Sequence, residues 1–421
     1  MARFVGRLHD LQDVLDWRLC VGCGACVPAC PSGGVRLVHV ETEGYRPLLE
    51  AACEECGDCL DACPGAGVDA NGLVLQAPTG THSEIEFGPT LEIWEGWASD
   101  PEVRFRGSSG GALSALSLYC LSNGFDGVIH TGASGETPFA TSSGISRTRA
   151  EVLERAGSRY APSAPVAALA DLPDDGTFVF VGKPCDTAAA VALAKREAAL
   201  NRKLGVVLTF FCAGTPSADG TRRLVQELGV EQESVTSVKY RGDGWPGEFR
   251  VQTAADPGVK RLSYRESWGR LTAYRPLRCN LCPDGLGRVS DIACGDAWHR
   301  HDEGTDDPGR SIILVRTERG RRLLRSAVAA GYLTIRPCAP EDVLRAQESL
   351  LERRRALFGR LAGLRLLGIP TPRFVGFSLL RSWLATGVSQ QARSVAGTVR
   401  RGWQRRWFVR QRRSRDTGGE K

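Results

Sequence analysis

The sequence predicts a core of the α/β class with a largely parallel sheet, preceded by a small α+β domain. Three observations carry this expectation. The spacing C-x2-C-x2-C-x3-C-P occurs twice, in "CVGCGACVPACP" (20–31) and in "CEECGDCLDACP" (53–64), and an internal repeat is read before anything else. Further along, short apolar runs alternate with helix-like segments, the pattern of strands joined by crossover helices. From Leu351 to Lys421 there are 17 Lys and Arg against 3 Asp and Glu, a local +14 that leaves the remainder at −8 within the overall +6.

The bulk numbers bound the class. A chain of 421 residues suits two or three domains. Its 42% hydrophobic and 24% charged content is that of an ordinary globular protein. The opening "MARFVGRLHDLQDVLDWRL" lacks the apolar stretch of a secretory signal, and no run approaches the ~18–20 apolar residues of a spanning helix. The expected location is therefore the cytoplasm. Thiols stay reduced there, so clustered cysteines imply metal or redox chemistry rather than disulfides.

Residues 1–76 form the first expected domain. A four-iron cluster needs four thiolates around a cube, three from a tight C-x2-C-x2-C turn and the fourth from the other run. That rule assigns Cys20, Cys23, Cys26 and Cys63 to one [4Fe-4S] cluster and Cys53, Cys56, Cys59 and Cys30 to a second. Gly22, Gly24, Ala25 and Gly57 let backbone amides approach the sulfurs. Structural zinc is the alternative, but such sites use two separated cysteine pairs rather than three cysteines in one turn. Between the runs, "VRLVHVETEGYRPLLE" reads as strand, turn and strand. The unit is thus ferredoxin-like, a carrier of single electrons.

Residues 77–98 are expected to be a linker, its first part rich in Pro, Gly and Thr. The core follows in two halves, 99–200 and 201–345. In "FRGSSGGALSALSLYCLSNG" (105–124) a Gly/Ser loop runs into an apolar helix that stops at Asn123-Gly124. Loop amides and a helix N-terminus seat a phosphate, although a plain helix start reads equally well. "TFVFVG" is a strand followed by Lys183-Pro184-Cys185 and a helix; "GVVLTFFC" is a strand ending at Cys212, before the helix "ADGTRRLVQELG"; "SDIACGDAW" is a third, ending near Asp296. Cys185 and Cys212 sit just past strand C-termini, the edge where open α/β sheets hold ligands. With the Cys279/Cys282 pair of "RCNLCPDG" they either close one more cluster or are two buried thiols beside an unrelated pair.

The segments "SSGGALSAL" (108–116), "GKPCD" (182–186), "FFCAG" (210–214), "YRGDGWPG" (240–247), "SWGRL" (267–271) and "RCNLCPDGLGRVSDIACGDAW" (278–298) stand in the order found in one family. Over about residues 15–345 the chain resembles the beta subunits of coenzyme F420 hydrogenases and dehydrogenases, deazaflavin-linked iron–sulfur flavoproteins. Its cysteine-rich head is similar to that of the deazaflavin-oxidising subunit of methanogen respiratory dehydrogenases. The resemblance implies an FAD in the core and a third [4Fe-4S] cluster on Cys185, Cys212, Cys279 and Cys282. It makes Ser108, Ser109, Gly110 and Gly111 candidates for FAD contact, Lys183 a candidate for an anionic group of FAD or substrate, and Asp296 a candidate contact to flavin or second substrate. No catalytic acid or base is implied, because hydride transfer itself needs none.

The expected activity is exchange of hydride with coenzyme F420, or another hydride carrier, and of single electrons with ferredoxin or a redox partner subunit. A ferredoxin-driven reductase of another organic substrate is the alternative. Reductases of chlorophyll intermediates also resemble this family, with a different N-terminal cysteine layout. A non-catalytic electron-relay subunit is the third reading. Whether the protein holds FAD, and whether a soluble hydride donor reduces it alone, separates them.

Other residues read more plainly. Cys120, Cys294 and Cys338 are expected to be inert thiols. Asp296, His299 and His301 lie close in sequence as a weak metal motif, and Trp245-Pro246 is either a substrate wall or an anchored turn. The tail, 346–421, alternates basic and apolar residues at helical spacing and ends in "VRRGWQRRWFVRQRRSR". It is expected to lie on an anionic membrane surface or to dock a partner, with a solvated helix as the alternative. Nucleic acid is not an expected partner of a redox body.

Overall fold

The computed structural model describes residues 8–50, 53, 56–73, 82–254, 258–300 and 307–411. Eight strands build the central sheet: β1 (Glu92–Ala98), β2 (Gly127–Ala133), β3 (Thr141–Ser146), β4 (Phe178–Gly182), β5 (Leu204–Phe210), β6 (Ile292–Asp296), β7 (Ser311–Val315) and β8 (Leu333–Pro337). Their order is β8-β1-β7-β6-β5-β4-β2-β3. The pairings β6-β5, β5-β4 and β4-β2 are parallel. Those of β7 with β6 and β1, of β1 with β8, and of β2 with β3 are antiparallel.

The α/β class expected from the sequence is present. Its parallel strands occupy the centre and antiparallel strands both flanks, so the sheet as a whole is mixed rather than largely parallel. Connection length explains one flank: β2 turns into β3 across residues 134–140, too few for the crossover that a parallel partner requires. The central strands are near-continuous apolar runs because helices cover both their faces. On one face α1 (Ala112–Ser122) and α4 (Glu318–Ala329) set Leu116, Leu118 and Leu324 against Val179, Leu208 and Ile313. On the other, α2 (Pro184–Arg196) sets Ala189, Ala190 and Leu193 against Phe178, Phe180 and Val207. A further helix, α3 (Ala218–Glu227), leads to a small antiparallel sheet of 235–239, 248–253 and 260–263.

The N-terminal unit has the expected hairpin, Val35–Val40 paired antiparallel with Gly44–Leu49. It is docked on the core rather than tethered beside it. Cys23 and Ala25 belong to the same apolar cluster as Phe178 and Leu193, and Val166 N donates to Cys23 O at 3.1 Å. Gly24, at φ +85°, faces Ala167 so closely that a Cβ would come within 2.8 Å of the Ala167 Cβ.

Two boundaries differ from expectation. The linker does not extend to residue 98, because Glu92–Ala98 is β1, inside the sheet between β7 and β8. Residues 346–411 are not a free tail. Helices α5 (Glu348–Arg355) and α6 (Leu357–Leu366) return to the N-terminal unit, where Leu357, Leu361 and Leu364 pack with Val14, Leu15 and Leu19. Arg373–Val375 then pairs parallel with Gly67–Asp69. The apolar stripe that suggested a membrane surface thus faces protein in α6. Among the described residues no helix is long and apolar enough to cross a membrane.

Candidate functional site

A cavity of about 310 Å³ opens at the C-terminal edge of the parallel strands, lined by loop residues 107–109, by the helix start 111–114, by Lys183 and by Cys212–Thr215. Open α/β sheets bind ligands at this edge. Ser108, Ser109, Gly111, Lys183 and Asp296 all line it, so five of the six residues singled out for cofactor contact come together. Gly110 does not line it. Its amide donates to Ser311 Oγ at 3.0 Å, and a Cβ there would lie 2.6 Å from Gly96 O. Its role is close packing of the loop onto the sheet.

The loop's polar groups divide into spent and free. Ser109 Oγ donates to Arg310 O at 2.8 Å, whereas buried Ser108 Oγ has no hydrogen-bond partner. Gly111 begins α1 with no side chain capping its first turn, and Ala112, Leu113 and Ser114 of that turn line the cavity. Arg155 and Arg159 line it too. Both spend donors on backbone carbonyls, and among the described residues neither forms a salt bridge. An orphaned hydroxyl, an uncapped helix start and two cations without a bridging carboxylate fit an anionic, phosphate-bearing ligand.

Lys183 is buried, with Nζ 2.8 Å from Asp186 Oδ2 and donating to Ser163 Oγ at 2.6 Å. Burial alone would lower its pKa, but Asp186 and the neighbouring Cys185 raise it further, and it stays protonated. Asp296 is claimed by Arg241, whose guanidinium meets it at 2.6 and 3.0 Å. Arg241 also donates to Ser108 O and Pro246 O and lies over the rings of Tyr264, at 4.6 Å, and Trp298, at 5.2 Å. Tyr264 stacks on Trp298 at 5.1 Å. Trp245 also stacks on Trp298, at 5.2 Å, while donating to Asp296 Oδ1 at 2.8 Å. Tyr264 and Trp298 line the cavity and Trp245 does not, so Trp245 backs the wall rather than forming it. Arg241 and Tyr264 were not singled out in the sequence, although "YRGDGWPG" contains the first.

The cysteines fall into three neighbourhoods. Burial first, then Cys63, pushes the Cys23 thiol well up; burial and then Cys23, Cys20 and Cys63 do the same to Cys26. Burial and then Cys20 push Cys63 up to about 12. Cys59 is pushed up to about 11 by burial, then by Cys53, Cys56 and Cys30. Cys212 is pushed up to about 12 by burial, then by Cys279 and Cys282, while Cys185, raised chiefly by burial, feels Cys212 and Cys282. Gly22 N and Gly214 N donate to Cys20 Sγ and Cys212 Sγ at 3.4 Å. Among the described residues no two cysteines are joined in a disulfide.

Among the described residues no three His, Cys, Asp or Glu side chains gather tightly enough for a single metal ion. Thiolates on a cube each bind a different iron and stand wider apart. Asp296 and His299 are not brought together: His299 Nε2 lies 3.6 Å from Glu95 and 3.8 Å from Asp342. His301 is outside the described residues. Cys120 and Cys294 are buried in the core.

Repeated cysteine runs beside an α/β core with a polar, cation-lined cavity define an iron–sulfur protein of the electron-transfer class. The family comparisons are more specific. The family model described as "Coenzyme F420 hydrogenase/dehydrogenase, beta subunit" comes in two parts: its C-terminal part matches residues 175–341 and its N-terminal part matches 93–170. A "4Fe-4S dicluster domain" matches 19–68. The chain belongs to this family of oxidoreductase subunits, the coenzyme F420 hydrogenase/dehydrogenase beta subunits, with a four-iron dicluster domain at its head.

Among relatives, the coenzyme F420 hydrogenase subunit beta of Methanococcus voltae is 26% identical over 284 residues, covering 65% of this chain and 95% of that protein. The F420-dependent formate dehydrogenase 1 subunit beta of Methanococcus maripaludis is 27% identical over 264 residues, 60% of this chain and 63% of that one. The fold is similar to a chain of the xenon-derivatised F420-reducing [NiFe] hydrogenase complex from Methanosarcina barkeri, with a TM-score of 0.54 at 21% identity, covering 71% of this chain and 99% of that chain.

Proposed function

We propose that the chain is an iron–sulfur flavoprotein that exchanges hydride with coenzyme F420 at an FAD in the cavity and single electrons with ferredoxin or a partner subunit through three [4Fe-4S] clusters. The ligand sets are Cys185, Cys212, Cys279 and Cys282 beside the cavity, Cys20, Cys23, Cys26 and Cys63 next, and Cys53, Cys56, Cys59 and Cys30 outermost. The observation that carries the reading is continuity. Cys212 lines the cavity, Asp186 and Arg278 each face both the first and the second group, Cys26 feels Cys59 of the third, and Cys56 is exposed.

An FAD bound there supplies the exchange between a two-electron hydride and single electrons. The chain's own residues bind and orient it. Ser108 Oγ and the first-turn amides of α1 would donate to its phosphates, Arg155 and Arg159 would offset its charge, and Lys183, kept protonated by Asp186, would hold a positive charge between cavity and thiols. Arg241 fixes the Gly/Ser loop through Ser108 O and props the Tyr264–Trp298 stack as a wall for a planar ring.

The test is anaerobic purification with iron and flavin quantified, then addition of reduced F420, with NADPH and reduced ferredoxin in parallel. The expected result is about twelve irons per chain, one FAD, and bleaching of both flavin and cluster absorbance by reduced F420. Reduction by ferredoxin alone would turn the reading into a reductase of another substrate. Absence of flavin from protein with full iron would make it a relay subunit.

A further inference from the structure

The family match ends at residue 341, yet the segment beyond it reaches into the cysteine site beside the cavity. Arg353, on α5, donates from Nη1 to Ala213 O at 2.5 Å and from Nη2 to Cys279 O at 2.8 Å. Arg360, on α6, donates to Asn280 O at 2.9 Å. From the core side Arg275 donates to the same Ala213 O at 2.9 Å. Each acceptor belongs to a cysteine's own residue or to the next one in the chain.

Three guanidiniums gathered this way repel one another. Arg275 and Arg353 share one acceptor, Ala213 O, at 2.9 and 2.5 Å. Among the described residues none of the three is ion-paired, whereas Arg354 and Arg355 of α5 both face Glu86. Uncompensated cations gathered partly out of water are costly unless an anion joins them. Neutral thiols do not supply that anion. A four-iron cluster on four thiolates is a net anion, and more so after gaining an electron.

We propose that Arg353 and Arg360 of the C-terminal segment, with Arg275, form a cationic clamp on the cluster held by Cys185, Cys212, Cys279 and Cys282. They are positioning residues: they fix the two cysteine loops through backbone carbonyls, and their charge favours the reduced cluster. The inference rests on the reading that these four cysteines hold a cluster. It predicts that a segment outside the family's common core sets how readily electrons leave the cavity.

The test uses the full chain, purified anaerobically, in wild type, Arg353→Gln, Arg353→Lys and the Arg353→Gln/Arg360→Gln pair. Iron is counted, and the clusters are titrated with dithionite and mediators under EPR, with the relevant signal identified by its loss in Cys279→Ser. At a fixed solution potential the reduced-to-oxidised ratio of that cluster should fall at least tenfold in the double variant, about 59 mV for a one-electron couple. The fall should be smaller in Arg353→Lys. Loss of the cluster in Arg353→Gln but not in Arg353→Lys would also support the clamp. An unmoved ratio in a fully loaded double variant overturns it, as does equal cluster loss in the Gln and Lys variants. Wild-type protein with about eight irons and no signal sensitive to Cys279→Ser would instead overturn the underlying assignment.

Discussion

Replacing Arg241 by Met removes the one side chain that joins the Gly/Ser loop, Asp296 and the aromatic wall. Its side chain is 2% exposed and that of Asp296 18%, so solvent does little to screen the pair. The substitution leaves the Asp296 carboxylate facing Trp245 Nε1, at 2.8 Å, and strips a donor from Pro246 O and Ser108 O. Breaking a buried ion pair from one side costs ~3–5 kcal/mol, chiefly because the abandoned charge stays buried. Orphaned carbonyls add ~1–3 kcal/mol, and lost stacking of the guanidinium on the rings adds ~1–2 kcal/mol. These contributions overlap, and about 4–5 kcal/mol is the expected total. Urea unfolding under argon, followed by tryptophan fluorescence and compared at constant m, measures it. In the double variant Arg241→Met/Asp296→Asn the stranded charge is gone, so its loss should fall short of the two single losses combined by ~2 kcal/mol or more. A single variant within ~1 kcal/mol of wild type, or two losses that simply add, would refute the reasoning.

Three further outcomes follow from the same contacts. Gly110→Ala places a Cβ 2.6 Å from Gly96 O and 2.9 Å from Ser311 N, so the loop must shift; the flavin-to-protein absorbance ratio should drop severalfold, while Gly135→Ala, with nothing within 4 Å, should leave it unchanged. Arg278→Met strips a donor from Pro64 O and Leu281 O, now at 2.6 and 3.1 Å, and should cost ~2–4 kcal/mol with faster proteolysis of the N-terminal unit; an unchanged proteolysis rate would show that Arg278 does not fasten it. His130 is brought down to about 3 by burial, then by Arg155, against an unfolded value of ~6.5. The unfolded state then binds the extra proton, so this stability is complete above pH ~6.5 and is lost toward pH ~3, at ~1.4 kcal/mol per unit. His130→Gln should flatten the stability slope between pH ~6.5 and ~5.5 relative to wild type, and an identical slope in both proteins would sink the assignment.

Parts of this protein were legible because their physics is local. Cluster ligands must converge from one tight turn, so the spacing at 20–31 and 53–64 speaks for itself. The central strands around Val179, Val207 and Ile292 are hard to miss, since burial on both faces demands near-continuous apolar runs, as in 178–182 and 204–208. Other parts depend on distant partners. Glu92–Ala98 reads poorly as a strand because Glu95 lies in its middle, yet that carboxylate is buried against His299, Arg310 and Arg336. The pairing of Arg241 with Asp296 spans 55 positions and depends on the small antiparallel sheet of 235–263. The basic residues after Leu351 read as a solvated or membrane-facing charge run. Composition does not reveal that Arg353, Arg354 and Arg360 spend their donors on backbone carbonyls inside the protein.

Under the proposed function, the way the N-terminal unit is fastened favours a fixed wire over a swinging carrier. Beside the apolar packing already described, its contacts to the rest of the chain include three independent kinds. Gly24 meets Ala167 at a separation that admits no side chain. Arg278, in the loop of Cys279 and Cys282, donates to Pro64 O, next to Cys63. Arg373–Val375 adds a strand to Gly67–Asp69 just past the second cysteine run. A carrier that moved between partners would have to break all three, and the parallel pairing alone is an element of the fold rather than a surface contact. Exposure follows the same logic. Cys20, Cys23 and Cys26 are buried, Cys30, Cys53 and Cys59 are partly covered, and Cys56 is exposed. An electron entering beside Cys212 would therefore cross the junction held by Arg278 and meet an outside acceptor at the Cys56 face, so the partner's docking, and not motion of this domain, would set the salt dependence of turnover.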